Sequence, residues 1–421
     1  MASRIALINA NLIDVDIGAR AGAHLVICGD RIERVDFGPA PVAREDLLVI
    51  DLQGRSLMAG LFNCHYHASY AGIGTLTGPP AVPVGMEAPP ALQALRAAHH
   101  VSLALDAGFT SVVSAGATYA IDAALKLAID EGILRGPRIT AGSRDVSTTG
   151  HSLHNYYPWH WPEGSPASMN ICDGADGFRR GVREEIRRGA EIIKVFLTSG
   201  HGVSGPQADM ELLREELQAI IETAHQRRVK VRAHIATREA ILTAVELGID
   251  LIDHGDGLDA ECIRRIVEKN VFLVPSMLLP ARVARHRPGP VGDKIREGMR
   301  EMLDMLPVAN EAGVKLLLGD DFGTAHLVHG SYADELDFYV NEAGIPPRDV
   351  LRWGTRHGAE LVGMADQLGE VKAGAIADLI VIDGDPLEDI RVLRDADRIP
   401  AVLKGGVFQK NRLPAASAGS P

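Results

Sequence analysis

Cysteine is scarce: there are four in 421 residues, at Cys28, Cys64, Cys172 and Cys262. None form a Cys-x-x-Cys pair, which argues against a disulfide framework or a thiolate zinc cluster. Cys64 reads as a small packing residue. Positive charge is in deficit. The formal net charge of −12 argues against a nucleic-acid partner, which would call for a basic face. No apolar run reaches bilayer-spanning length, so no membrane partner is expected. The opening Met1-Ala2-Ser3-Arg4-Ile5-Ala6 shows neither an apolar core nor a cleavage site, so a cytoplasmic location is expected. Internal repeats are absent too.

What is present is ample core material, with 46% hydrophobic residues, enough for one large domain and a small one. Residues 1–58 begin with short strands, Arg4–Asn11, His24–Cys28, Arg31–Asp36 and Leu48–Leu52, separated by turns such as Gly29-Asp30. Residues 366–412 supply more, Ala377–Ile382 and Ala401–Gln409. The two segments are expected to make one small β-sandwich from both chain termini, with 413–421 a disordered tail. Between them, residues 59–365 alternate apolar β-runs with helical stretches. The strands expected after the first are Thr110–Ser114, Arg138–Ala141, Ile192–Leu197, Lys230–His234, Leu251–His254, Phe272–Pro275 and Val314–Gly319. Eight strands with helices between them make an α/β protein, a (β/α)8 TIM barrel, the natural closure. Long loops, Ala68–Pro90 and Ser143–Cys172, follow the first and third strands.

His65-Tyr66-His67 follows the apolar run Leu57-Met58-Ala59-Gly60-Leu61-Phe62. Alternate strand residues share a face, so the two imidazoles point the same way and form half of a metal site. Lys194 lies inside Ile192-Ile193-Lys194-Val195-Phe196. A buried ammonium must find a counter-charge, neutralise, or snorkel out. A neutral amine there can also take up carbon dioxide and become an anionic oxygen ligand. His234, His254 and the pair Asp320-Asp321 each end a further β-run before a polar or glycine-containing loop. In a parallel barrel all these positions share the catalytic face.

This series strongly resembles the amidohydrolase superfamily, in its prolidase-like and imidazolonepropionase-like branch. The segment Leu368-Gly369-Glu370-Val371-Lys372-Ala373-Gly374 through Asp378-Leu379-Ile380-Val381 is similar to that family's closing motif. The resemblance implies a binuclear metal site. Two divalent ions, zinc by expectation, share a carboxylated Lys194; one takes His65, His67 and Asp321, the other His234 and His254. Aligned to the family's Gly-Thr-Asp, Gly319-Asp320-Asp321 makes Asp321 the ligand, with Asp320 the alternative. The implied activity is hydrolysis of a C–N amide bond in a small molecule by a metal-bridging hydroxide, with Asp321 moving the proton. His151 is implied as the group on the substrate carbonyl, with His154 able to replace it. His329 and His201 are expected near substrate. Tyr156 stands with Tyr157, Trp159 and Trp161 in an aromatic wall or a packed lid. The branch suggests an Xaa-Pro dipeptide or N-acyl amino acid as substrate. A cyclic amide, aryl amide, carbamate or urea is the alternative, and a non-catalytic barrel a remote one. Arg144 and Arg232, near strand ends, are candidates to hold a substrate carboxylate. A homo-oligomer is expected.

Overall fold

The computed structural model describes residues 4–74, 84–85, 87–151, 169–199 and 210–414. His154, Tyr156, Tyr157, Trp159, Trp161, His201 and the tail beyond 414 lie outside the described residues.

Five strands open the chain: β1 (Arg4–Asp14), β2 (Gly18–Cys28), β3 (Arg31–Asp36), β4 (Leu47–Asp51) and β5 (Ser56–Ala59). Ten more follow: β6 (Leu61–Tyr66), β7 (Phe109–Ser114), β8 (Arg138–Thr140), β9 (Asp145–Ser147), β10 (Met169–Ile171), β11 (Ile192–Phe196), β12 (Lys230–Ile235), β13 (Leu251–His254), β14 (Phe272–Val274) and β15 (Lys315–Leu316). The last three are β16 (Leu379–Ile382), β17 (Ala401–Lys404) and β18 (Val407–Asn411).

Strands from both termini hydrogen-bond into one eight-stranded mixed sheet. The long, bulged β1 pairs with β4 through its first half and with β5 near its end. Its apolar face gathers Leu7, Leu25, Leu57, Leu379 and Leu403 into a core of its own. The single strand expected over Ala401–Gln409 is instead the hairpin β17–β18. Gly405 and Gly406, both at positive φ, make its turn where a side chain would strain the backbone.

The middle of the chain forms two parallel sheets, β6-β7-β8 and β10-β9-β11-β12-β13-β14-β15. The segment expected as a loop over Ser143–Cys172 therefore carries a strand at each described end. Helices run between the strands, among them Pro90–Asp106, Ile121–Asp130, Gly174–Arg187, Arg214–His225, Arg238–Leu247, Ala260–Lys269 and Gly289–Glu311. Thr237 and Asp259 cap the fifth and sixth of these by accepting from Ala240 N and Cys262 N, which satisfies amides the helix leaves unpaired. Phe62, Cys64, Val113, Ile192, Leu251, Phe272, Val274 and Leu317 fill one end of the strand assembly. Towards the C-terminal ends of the same strands the apolar side chains give way to charge.

Candidate metal centre

The charged layer starts with Lys194, Arg232 and Asp253, all buried. Lys194 and Arg232 are level neighbours on β11 and β12. An isolated charge at such depth is costly, so the three must compensate one another. They do so on one carboxylate. Lys194 Nζ donates to Asp253 Oδ2 at 2.5 Å, and Arg232 reaches both oxygens, Nη2 to Oδ1 at 2.5 Å and Nε to Oδ2 at 3.1 Å. Arg232 Nη1 also donates to the carbonyls of Cys64 and Ser114, each at 2.9 Å. Burial alone would push the Asp253 carboxyl up, but Arg232 and then Lys194 hold it well below the usual carboxylate range.

His65 takes the next place on this network. Its Nδ1 lies 3.4 Å from Asp253 Oδ1 and 3.3 Å from Arg232 Nη2, which leaves Nε2 turned toward Asp321. His67 is oriented the same way, its Nδ1 donating to the Gly116 carbonyl at 3.0 Å. The two Nε2 atoms are 3.2 Å apart, and both face Asp321 Oδ1, at 3.1 and 3.2 Å. Ligand atoms of His65, His254 and Asp321 all fall within 4.8 Å of one another. Two imidazole lone pairs and a carboxylate aimed at one point suit a divalent cation of borderline character. Electrostatics agree. Burial raises Asp321, but His65 outweighs it and holds the carboxyl well below its usual range. His67 is lowered to about 4, chiefly by burial, so its ring is neutral at physiological pH. His65 is raised: burial opposes this, and Asp253 and Asp321 prevail.

Two backbone features bring these groups together. His254 has φ of 69°, unusual for a residue with a side chain. Strand alternation would send Asp253 and His254 to opposite faces; the turn at His254 lets both join the cluster. Gly319, at φ 148°, lies so close to β6 that a Cβ there would stand 2.1 Å from the His65 amide nitrogen.

The amidohydrolase family model matches residues 56–408. The chain belongs to the amidohydrolase family. It is a hydrolase acting on carbon–nitrogen bonds. It is 29% identical to ochratoxinase of Aspergillus niger over 376 residues, covering 84% of this chain and 75% of that enzyme. Among solved structures it is similar to a prolidase complexed with N-methylphosphonate-L-proline, at 30% identity and TM-score 0.85, covering 97% of this chain and 100% of that one. It is also similar to an Xaa-Pro dipeptidase with methionine bound in its active site, at 26% identity and TM-score 0.86, with the same coverage.

The remaining candidates take distinct places in this amidohydrolase. His234 packs 4.4 Å from His254, ring centroid to centroid, and its Nε2 donates to the Ser199 carbonyl at 3.1 Å. His151 is buried and meets Phe196 edge-on at 4.6 Å, while Phe196 stacks on His234. Asp320 turns away from the histidines. Its Oδ2 accepts from Leu278 N and Leu279 N, capping helix Leu278–His286, and burial pushes its carboxyl up to about 7. His329, expected near substrate, has both ring nitrogens on protein: Nε2 donates to the Tyr70 carbonyl and Nδ1 accepts from the Tyr332 hydroxyl. It steadies Tyr70, whose ring stacks on His67 at 4.1 Å. The two arginines considered for a substrate carboxylate have protein partners as well. Arg232 serves the charged layer, and Arg144 pairs with Glu185 at 2.6 Å. Asp253 was not anticipated from sequence, although a carboxylate inside an apolar strand calls for buried cations.

Proposed function

We propose that this amidohydrolase hydrolyses the amide bond of a small peptide-like substrate, most directly an Xaa-Pro dipeptide, at a binuclear metal site. The observation that carries this reading is the convergence of His65 Nε2 and His67 Nε2 on Asp321 Oδ1. The similarity to a prolidase and to an Xaa-Pro dipeptidase supports the substrate class.

In this reading β6-β7-β8 and the seven-stranded sheet close into one (β/α)8 barrel. Two seams support the closure. Cys64 N donates to Leu318 O at 2.6 Å, and Glu191 N to Ala141 O at 2.7 Å. His65, His67 and Asp321 would hold one ion, His234 and His254 the other, and a carboxylated Lys194 would span both. Zinc suits this donor set. Such ions make water acidic near neutral pH and polarise a carbonyl. Asp321 receives the proton lost by the attacking water and returns it to the departing nitrogen. His151 donates to the substrate carbonyl oxygen. Once Lys194 is carboxylated, Arg232 remains to balance Asp253.

The similarity to ochratoxinase, a relative not named for proline peptides, favours a second reading, a cyclic amide, aryl amide, carbamate or urea on the same site. A hydrolysis screen across Xaa-Pro dipeptides, N-acyl amino acids, lactams and aryl ureas, with and without chelator, separates the two. Chelator-sensitive cleavage of Xaa-Pro is expected. Turnover confined to aryl amides or ureas contradicts the dipeptide assignment, and chelator-insensitive turnover contradicts the metal site.

A further inference from the structure

One charged residue in the strand interior has no part in the chemistry above. Val146 on β9 pairs level with Val195 on β11, and both lie in the apolar core. Alternation therefore turns their neighbours the other way, so Asp145 and Ser147 share the face of Lys194 and Phe196. Asp145 is 5% exposed. Its Oδ1 has no hydrogen-bond partner among the described residues, and neither does the Ser147 hydroxyl. Lys194 and Arg232 act on Asp145 through their charge, but their ion pairs are made with Asp253.

The position is next to the metal cluster. Asp145 Oδ1 is so close to Gly116 that a Cβ there would sit 1.9 Å from it, and the Gly116 carbonyl holds His67. A carboxyl buried without donors is costly until a proton or a cation completes it. A cationic group carried by the substrate can complete the carboxyl in this way.

We propose that Asp145, flanked by the Ser147 hydroxyl, receives the α-ammonium group of the substrate, so that the enzyme selects dipeptides with a free N-terminus over N-acylated amino acids. This rests on the peptide-like substrate proposed above and narrows it. In a dipeptide the ammonium is one carbon from the scissile carbonyl, so its receptor must adjoin the metal cluster. The contact from Asp145 through Gly116 to His67 satisfies that requirement. A charge-assisted bond to the ammonium favours the free amine.

The test compares Ala-Pro with N-propionyl-proline, which has the same shape without the amine, on full-length metal-loaded enzyme. The wild type is expected to prefer Ala-Pro in kcat/KM. Asp145→Asn should lower kcat/KM for Ala-Pro by about 10- to 100-fold, the worth of a hydrogen bond to a charged group. It should change N-propionyl-proline less than about threefold, with metal content unaltered. Equal loss on both compounds, or no loss on either, overturns the proposal. If Asp145→Asn does not fold, the wild-type preference decides: no preference for Ala-Pro overturns it. If the wild type cleaves neither compound, the dipeptidase reading fails, and calorimetric binding of the two compounds to wild type and variant judges Asp145 by the same criterion.

Discussion

Replacing Asp253 by Asn keeps the side chain's shape and removes one negative charge from beneath two cations. Lys194 and Arg232 would then share a neutral amide at full burial. Removing one partner of a buried ion pair typically costs about 3–5 kcal/mol, because the surviving charge stays desolvated. That is a large fraction of an ordinary domain's stability of about 5–15 kcal/mol. The same change releases His65 Nδ1 from its carboxylate, and loss of such a support lowers metal affinity by about 10- to 100-fold. Urea unfolding of the chelated protein measures the first effect, and metal titration of the folded protein the second. A double-variant cycle sharpens the test. Asp253→Asn combined with Arg232→Met restores the charge balance, so the pair should be less destabilised than the two single losses summed. A stability loss under about 1 kcal/mol together with wild-type metal affinity would refute the reasoning.

Gly319→Ala should displace β6 at His65, since the new Cβ would meet the His65 amide nitrogen at 2.1 Å. A loss of about 1–3 kcal/mol, typical of overpacking, and weakened metal binding are expected in the same unfolding and titration assays; wild-type values for both contradict the close approach. Lys194→Ala should abolish turnover, and short carboxylic acids should restore part of it by replacing the carbamate; full activity in the variant ends the bridging role. His225 is raised above its ordinary value of 6.5, first by its hydrogen bond to Asp250. The pair therefore stabilises the fold below the unfolded-state value, and that contribution is lost as pH rises through the folded one. An NMR titration should place His225 above 6.5 in the wild type and nearer its ordinary value in Asp250→Asn; no difference between the two contradicts the pairing.

Much of the candidate site was legible because strands alternate. His65 and His67, two residues apart on one strand face, announce a shared direction without any tertiary information. Asp253 was hidden by the same rule: it precedes His254, and only the positive φ at His254 brings both inward. The signal that could have exposed it is charge in the wrong place. Lys194, Arg232 and Asp253 each interrupt an apolar run on its own strand, and three such charges are most cheaply explained by one another. Asp145–Ser147 went unread as a strand because three residues, two of them polar, carry no period. The strand expected over Val314–Gly319 is shorter, Lys315–Leu316. Beyond it the backbone still pairs, Leu317 N with Leu273 O and Leu318 O with Cys64 N, but to a different neighbour on each side.

Elemental analysis of the purified protein, with metal counted per folded chain, most directly tests whether six side chains gathered from distant parts of the chain hold a pair of cations. About two divalent ions per chain are expected, falling together when Lys194 is replaced by Ala. A well-folded protein that reproducibly carries none, and takes up none on addition of zinc, contradicts it.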